Sequence, residues 1–299
     1  MTSSLSIATA NRLTRALLTL ALLTPAISAV AQQSPVAAFL AHYQQRVTAT
    51  QNEQPHWITP LVTVTPRLEQ EYRTDLVRQT NKDHQTIWNY GNSKGLELIP
   101  FRHIELLFNP PPFFAHNTGA EDGFGDVSFL AKYRIFARNE QHGNAILTAF
   151  LGASIPTGKN ANGLCCAIVT PTLAGGKGFG PIAFTTTLGG SLPVSNKTKL
   201  GHTLFSNTSI QYHVATTGLA RFLWPEAEFN ANRFYGGSND GKIMTFATPG
   251  LILGRIPLTH DASGKPGRLG LTFGAGEQIA LTHFHTYNHA IVLTARIPF

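Results

Sequence analysis

The chain has 299 residues, a formal net charge of +7 and only 13% charged residues, about half the roughly 25% usual in soluble domains. No Lys/Arg-rich run occurs, which argues against a nucleic-acid partner. After residue 31 no apolar stretch reaches the roughly 20 residues a membrane-spanning helix needs. Low charge without apolar helices points to strands.

The N-terminus reads as an export signal. Arg12 and Arg15 supply a positive region, Ala16 to Leu23 an apolar one, and Ala29-Val30-Ala31 a small-x-small cleavage pattern. The apolar run is too short for an anchor, so residues 1–31 are expected to be a cleaved signal peptide. Removing Arg12 and Arg15 from the +7 balance leaves +5. Residues 32–66 follow as an expected periplasmic or lumen-lying extension, with a disordered leader as the alternative. Ser34 and Pro35 suit the cap and first turn of a short helix ending near Arg46. Pro55, Pro60 and Pro66 then interrupt any longer regular element.

From residue 67 the dominant signal is alternation with a period of two. Val127, Phe129, Ala131, Tyr133 and Ile135 share one face of a strand, and Ser128, Leu130, Lys132 and Arg134 the other. Near the C-terminus Ile291, Leu293, Ala295, Ile297 and Phe299 oppose Val292, Thr294 and Arg296. Looser alternation elsewhere gives strands at 68–80, 87–98, 102–109, 126–136, 145–156, 169–177, 182–193, 203–215, 222–235, 243–256, 268–280 and 291–299. The expected fold is all-β: a transmembrane antiparallel up-and-down barrel of about 12 strands over residues 67–299. Such walls alternate between lipid and lumen. A secreted soluble β-protein is the competing architecture.

Topology gives a check. With a periplasmic C-terminus, the outward connections are 109–125, 157–168, 195–202 and 236–242, and the inward ones 99–101 and 178–181. Outer loops then come out longer than inner turns, as barrels of this type require. The connection 257–267 is the exception, because it should be short. A final strand ending on Phe299 resembles the signal read by the barrel-assembly machinery. The expected partners are therefore that machinery, outer-membrane lipid and a small-molecule solute, at the bacterial outer membrane.

Eleven charged residues fall on expected inner faces: Glu69, Glu71, Arg73, Asp75, Glu97, Glu105, Lys132, Arg134, Glu226, Glu228 and Arg296. Both signs are present. Cross-strand pairing of opposite charges offsets the cost of burying either alone. They form either an ion network filling the lumen or a selectivity lining.

Other motifs are weaker. Cys165 and Cys166 are adjacent and cannot build a disulfide framework, so they read as loop residues. His283 and His285 share a strand face at a spacing that suits a metal, but an external turn with Phe284 and Tyr287 at the membrane interface is the simpler reading. No cofactor motif is present. Gly-x-Ser-x-Gly and His-Glu-x-x-His are missing. The His-x-Ser-Asn-Gly pattern of outer-membrane phospholipase A is missing too, since Ser206-Asn207 lacks its flanks. An outer-membrane lipid-modifying enzyme stays as the alternative to a channel.

The run Gly123-Phe124-Gly125-Asp126-Val127-Ser128 leading to Lys132-Tyr133-Arg134, and the run Ala153-Ser154-Ile155-Pro156-Thr157-Gly158-Lys159, carry a further signal. Together with the aromatic C-terminus they resemble the outer-membrane transporter-like family of the phenol-degradation MetA pathway. The resemblance implies a channel for small, often apolar or aromatic solutes, and no catalytic residue. Read physically, the glycines permit turns, Asp126 can bond nearby backbone groups, and Pro156 ends a strand. Eight-strand barrels are filled by side chains and those of sixteen or more leave a wide channel. A barrel of about twelve strands should enclose a narrow pore, with residues 32–66 long enough to block or line it.

Overall fold

A computed structural model of the protein describes residues 34–260 and 264–299. The expected signal peptide lies outside the described residues. The chain divides into a unit ending at Thr48 and a large unit, Ala49–Phe299.

Helix α1 (Pro35–Asn52) begins where the Ser34 hydroxyl accepts the Ala37 N–H at 3.1 Å, the N-cap arrangement. It runs past the expected end at Arg46. Val47, Thr48 and Thr50 weaken helix propensity without breaking it, and the first residue that cannot continue the helix is Pro55.

The large unit is a closed barrel. Its strands are β1 (Glu71–Thr80), β2 (Thr86–Gly91), β3 (Leu96–Phe101), β4 (Ile104–Asn109), β5 (Phe113–His116), β6 (Gly123–Phe124), β7 (Val127–Arg138), β8 (Ala145–Ile155), β9 (Ile168–Phe179), β10 (Ile182–Pro193), β11 (His202–Tyr212), β12 (Leu223–Tyr235), β13 (Ile243–Pro257), β14 (Gly270–Ala280) and β15 (His289–Pro298). Three staves are interrupted. β2 and β3 share one, with both pairing to β1; β4 and β5 share the next; β6 and β7 share the third. The wall therefore has 12 staves, all antiparallel. β15 pairs with β1 from Glu71↔Pro298 to Thr80↔His289 and closes it.

The interruptions have local causes. Pro110, Pro111 and Pro112 remove three ladder donors, so the third strand stops at Asn109 and resumes as β5. Residues 113–116 and 123–124 thus belong to the wall, not to the outward connection expected over 109–125. Gly91, Asn92 and Ser93 take positive φ values of 89°, 46° and 50°, which turns the chain between β2 and β3. The turn after that stave falls at Arg102-His103 and not at 99–101.

The connection 257–267, which looked too long, is a hairpin. Leu258 N–H donates to Leu269 O at 2.9 Å and Gly267 N–H to Thr259 O at 2.7 Å, so the ladder continues past the rim. The rim where β1 begins and β15 ends is called basal below, and the opposite one distal.

The pleat sorts the side chains. Phe129, Tyr133, Ile291 and Ile297 are exposed on the outer wall, while Lys132, Arg134, Thr294 and Arg296 are buried inside. Leu151, Leu188, Phe229 and Leu251 extend the outer apolar band. An exposed apolar surface of this extent marks an interface with lipid or protein.

Candidate functional site

The eleven charged residues singled out by alternation are all buried, none more than 7% exposed. Ten sit on inward positions of the wall. Glu69 instead precedes β1, in a segment that runs through the lumen. The strand begins two residues later because Glu69 N–H donates to the Glu105 carboxylate at 2.6 Å, outside the ladder.

That lumen segment, residues 53–70, is the centre of the site. It enters at the basal rim, where Glu53 pairs with Arg134 at 2.8 Å and also with Arg102. Arg134 also donates to Thr50 O at 2.6 Å. The segment then crosses to the far wall. Leu61 N–H donates to Glu226 at 3.0 Å, Val62 N–H to Glu228 at 2.8 Å, and Thr63 N–H to the other Glu228 oxygen at 2.5 Å. Arg296 donates to Thr59 O and Pro60 O, both at 2.5 Å, and Arg73 to Leu61 O. On the way back Thr148 donates to Pro66 O at 2.6 Å and Lys132 to Arg67 O at 3.2 Å. A proline-interrupted segment cannot satisfy its own backbone, so the inward charges of the wall do it.

Apolar contacts fix the register. A Cβ on Gly274 would lie 2.5 Å from Leu61 and one on Gly276 would lie 2.8 Å from it. Gly176 would meet Trp57 at 2.6 Å. With Gly250, where a Cβ would also meet Leu61, four inward glycines thus leave notches that receive Leu61 and Trp57.

Ion pairs knit the rest. Arg73 meets Asp75 at 2.8 Å, Lys132 meets Glu105 at 2.9 Å, and Glu69 lies between Arg67 at 3.1 Å and Arg255 at 2.8 Å. Burial pushes the Glu69 carboxyl up, but Arg67, Arg255 and Lys132 outweigh it and hold the group at about 2, below its ordinary 4.5. Sequence alternation did not find Arg67, Arg255, Leu61 or Trp57. The signal it passed over was the alternate-position spacing of Gly274 and Gly276 on one face.

The family-like motifs meet at the distal rim. The Asp126 carboxylate accepts Gly158 N–H and Leu164 N–H, both at 2.8 Å, and Val127 N–H donates to the Thr157 hydroxyl at 3.0 Å. Asp126 therefore bonds the facing loop, not its own strand start. Hydrogen bonds to a charged acceptor are worth about 1.5–3 kcal/mol each. Asp126→Ala is expected to cost about 3 kcal/mol of loop ordering and to make residues 156–167 cleavable by protease in an otherwise folded barrel.

Cys165 and Cys166 lie in this loop as free thiols, their sulfurs 3.4 Å apart. Among the described residues, His283 and His285 are not brought together with other metal ligands. Both ring nitrogens of His285 are engaged within its loop, by Thr282 O at 2.6 Å and Asn288 Oδ1 at 2.9 Å. Tyr287 does not face a membrane interface. Phe284 packs edge-on against Phe234, and Tyr287 stacks on the inward Phe246 with centroids 4.7 Å apart. The inner aromatic surface and a hydroxyl partner, Gln278, draw Tyr287 inward. Burial raises its phenol pKa.

No protein-family model matches the chain, and no curated protein matches it in sequence. Solved structures do match the fold. A crystal structure of an outer membrane channel from Pseudomonas putida F1 superposes with a TM-score of 0.56 at 14% identity, over 77% of this chain and 94% of that one. The NanC porin structure gives a TM-score of 0.48 at 10% identity, over 76% and 98%. The fold is a closed 12-strand antiparallel barrel, shared with that outer membrane channel.

Proposed function

We propose that this chain is a passive outer-membrane channel for small solutes, closed in its basal half by residues 53–70. The observation that carries the reading is a wall apolar outside and polar inside, around a lumen segment held mainly through its backbone. The tight turns at 102–103 and 180–181 lie on the basal rim and the longer loops at 156–167 and 281–288 on the distal one. The basal rim also carries the longer connections 213–222 and 258–269, so the two tight turns are what supports a periplasmic basal rim. Outer-membrane lipid would cover the band, and the barrel-assembly machinery would read β15 and Phe299. The MetA-pathway resemblance favours small organic solutes. Mixed charge around the segment argues against strong selection for either ion sign.

The test is reconstitution of residues 32–299 and of a variant lacking 32–66, followed by liposome swelling and single-channel recording. Higher permeability after truncation supports the plug. Lipid hydrolysis without permeability in either form would replace the channel with an enzyme.

Two expected results follow from the wall and the plug. Phe229 lies at the middle of β12 and faces outward. Phe229→Arg should cost roughly 2–4 kcal/mol of folding stability in bilayers if it lies at the midplane, read from refolding titrations. The plug should also respond to acid. Because Glu69 is held at about 2, its contribution is complete above its ordinary 4.5 and declines as pH falls toward 2. Recordings should show lengthening open periods across that window, and traces unchanged from pH 7 to pH 2 would contradict the assignment.

A further inference from the structure

The lumen is divided by charge. The charged inward residues of the wall lie toward the basal ends of their strands, among them Asp75 on β1, Glu228 on β12 and Arg296 on β15. On the distal side of Val62 and Val64 the same strands enclose a cavity of about 310 Å³ with no Asp, Glu, Lys or Arg in its lining. At roughly 30 Å³ per water it has room for about ten.

Six amides face this space: Gln79, Asn92, Asn207, Asn230, Asn232 and Gln278. Some are wired in a row. Asn207 donates to the Thr187 hydroxyl at 3.3 Å, Asn230 to Asn207 Oδ1 at 3.1 Å, Gln278 to Asn230 Oδ1 at 3.2 Å, and the Tyr287 hydroxyl to Gln278 Oε1 at 2.5 Å. The row fixes the orientation of each amide and leaves each with a second N–H. Among the described residues, the half-buried side chains of Asn232 and Gln79 have no protein hydrogen-bond partner. Beside the row the lining is apolar, with Phe246 directly across the ladder from Asn230, Met244 across from Asn232, and the Tyr287 ring stacked on Phe246.

We infer that this cavity binds an uncharged, polyhydroxylated ring solute of monosaccharide size. Hydroxyl groups both donate and accept, as the amides do. The C–H face of such a ring suits the Phe246–Tyr287 wall. A charged solute would lose water here without meeting a counter-charge. A purely apolar ring would leave the amides unpartnered. The inference rests on the channel reading for its role and narrows the solute class beyond it.

The test is calorimetric titration of the full mature chain in detergent with D-glucose, gluconate, glucosamine and phenol. Saturable binding of glucose is expected, with gluconate and glucosamine at least about tenfold weaker, the ratio for an unpaired charge losing about 1.4 kcal/mol. Asn232→Leu and Gln79→Leu should each weaken glucose binding about fivefold, the loss of one ordinary hydrogen bond. Both variants are first checked for heat-modifiable mobility, the sign of a folded barrel. Absence of saturable glucose binding, equal binding by both folded variants, or phenol binding tighter than glucose overturns the inference. Glucose binding without liposome swelling upholds the site and removes the channel reading.

Discussion

Glu228→Ala is expected to raise the open probability of single channels about a hundredfold. Glu228 is fully buried, and its two oxygens accept consecutive backbone N–H groups of the plug, at 2.8 Å from Val62 and 2.5 Å from Thr63. Each such bond to a charged acceptor contributes about 1.5–3 kcal/mol. Losing both removes at least about 3 kcal/mol, and each 1.4 kcal/mol is a factor of ten in the equilibrium. The plug keeps its other anchors, Arg296 to Thr59 and Pro60, and Leu61 in its glycine notch. It should therefore leave the pore in short events and return. Glu226→Ala removes only one backbone bond, from Leu61 at 3.0 Å, and should act less, by about tenfold. Glu140→Ala is the control. It accepts the His56 N–H of the same segment at 2.6 Å and pairs with the His56 ring at 2.8 Å, but both side chains are about half exposed, so water replaces these bonds and little change is expected. Equal open probability in Glu228→Ala and the unaltered chain would mean that the plug is not the closing element.

Much of the wall was legible in the sequence because a barrel strand must alternate. The run from Val127 to Ile135 and that from Ile291 to Ile297 carry their two environments in the side chains themselves. The places where reading failed are those where the physics is not periodic. Pro110 to Pro112 hid β5, since a strand that loses three donors and resumes gives no continuous pattern. The 257–267 hairpin continues its ladder through polar residues that read as a loop. The plug was visible only as a proline-interrupted stretch. Its fixed course depends on backbone carbonyls meeting Arg73, Lys132 and Arg296, and a sequence shows which side chains are charged but not which carbonyl each one meets. Tyr287 was misplaced for a related reason. An aromatic residue in a loop near a membrane suits an interfacial belt, and only the nearness of Phe246 and Gln278 shows that the interior offers it more.

Lys132→Met should destabilise the folded barrel by about 3–5 kcal/mol, the cost of leaving a buried charge uncompensated. Lys132 on β7 and Glu105 on β4 are directly opposed in the ladder. Their charged atoms lie 2.9 Å apart, and neither side chain is more than 1% exposed. Methionine keeps the unbranched stem packed near Phe150, whose ring lies 5.6 Å from the lysine nitrogen, so the change removes charge more than volume. The Glu105 carboxylate then faces the lumen with only the Glu69 N–H, at 2.6 Å, for company. The double variant Lys132→Met/Glu105→Gln is expected to recover most of the loss. Its amide oxygen can still accept from Glu69, and no net charge remains buried. Unfolding midpoints in denaturant, followed by heat-modifiable mobility, would give both values, and the double-mutant cycle isolates the coupling between the two side chains. If the double variant is as unstable as the single one, burial of the unpaired carboxylate is not the source of the loss. The pair would then matter through the Lys132 bond to Arg67 O, at 3.2 Å, and thus through the plug and not the wall. In that case deletion of residues 32–67, which removes the Arg67 carbonyl together with the plug, should abolish the difference between Lys132→Met and the unaltered residue, which gives the two routes opposite outcomes in one background.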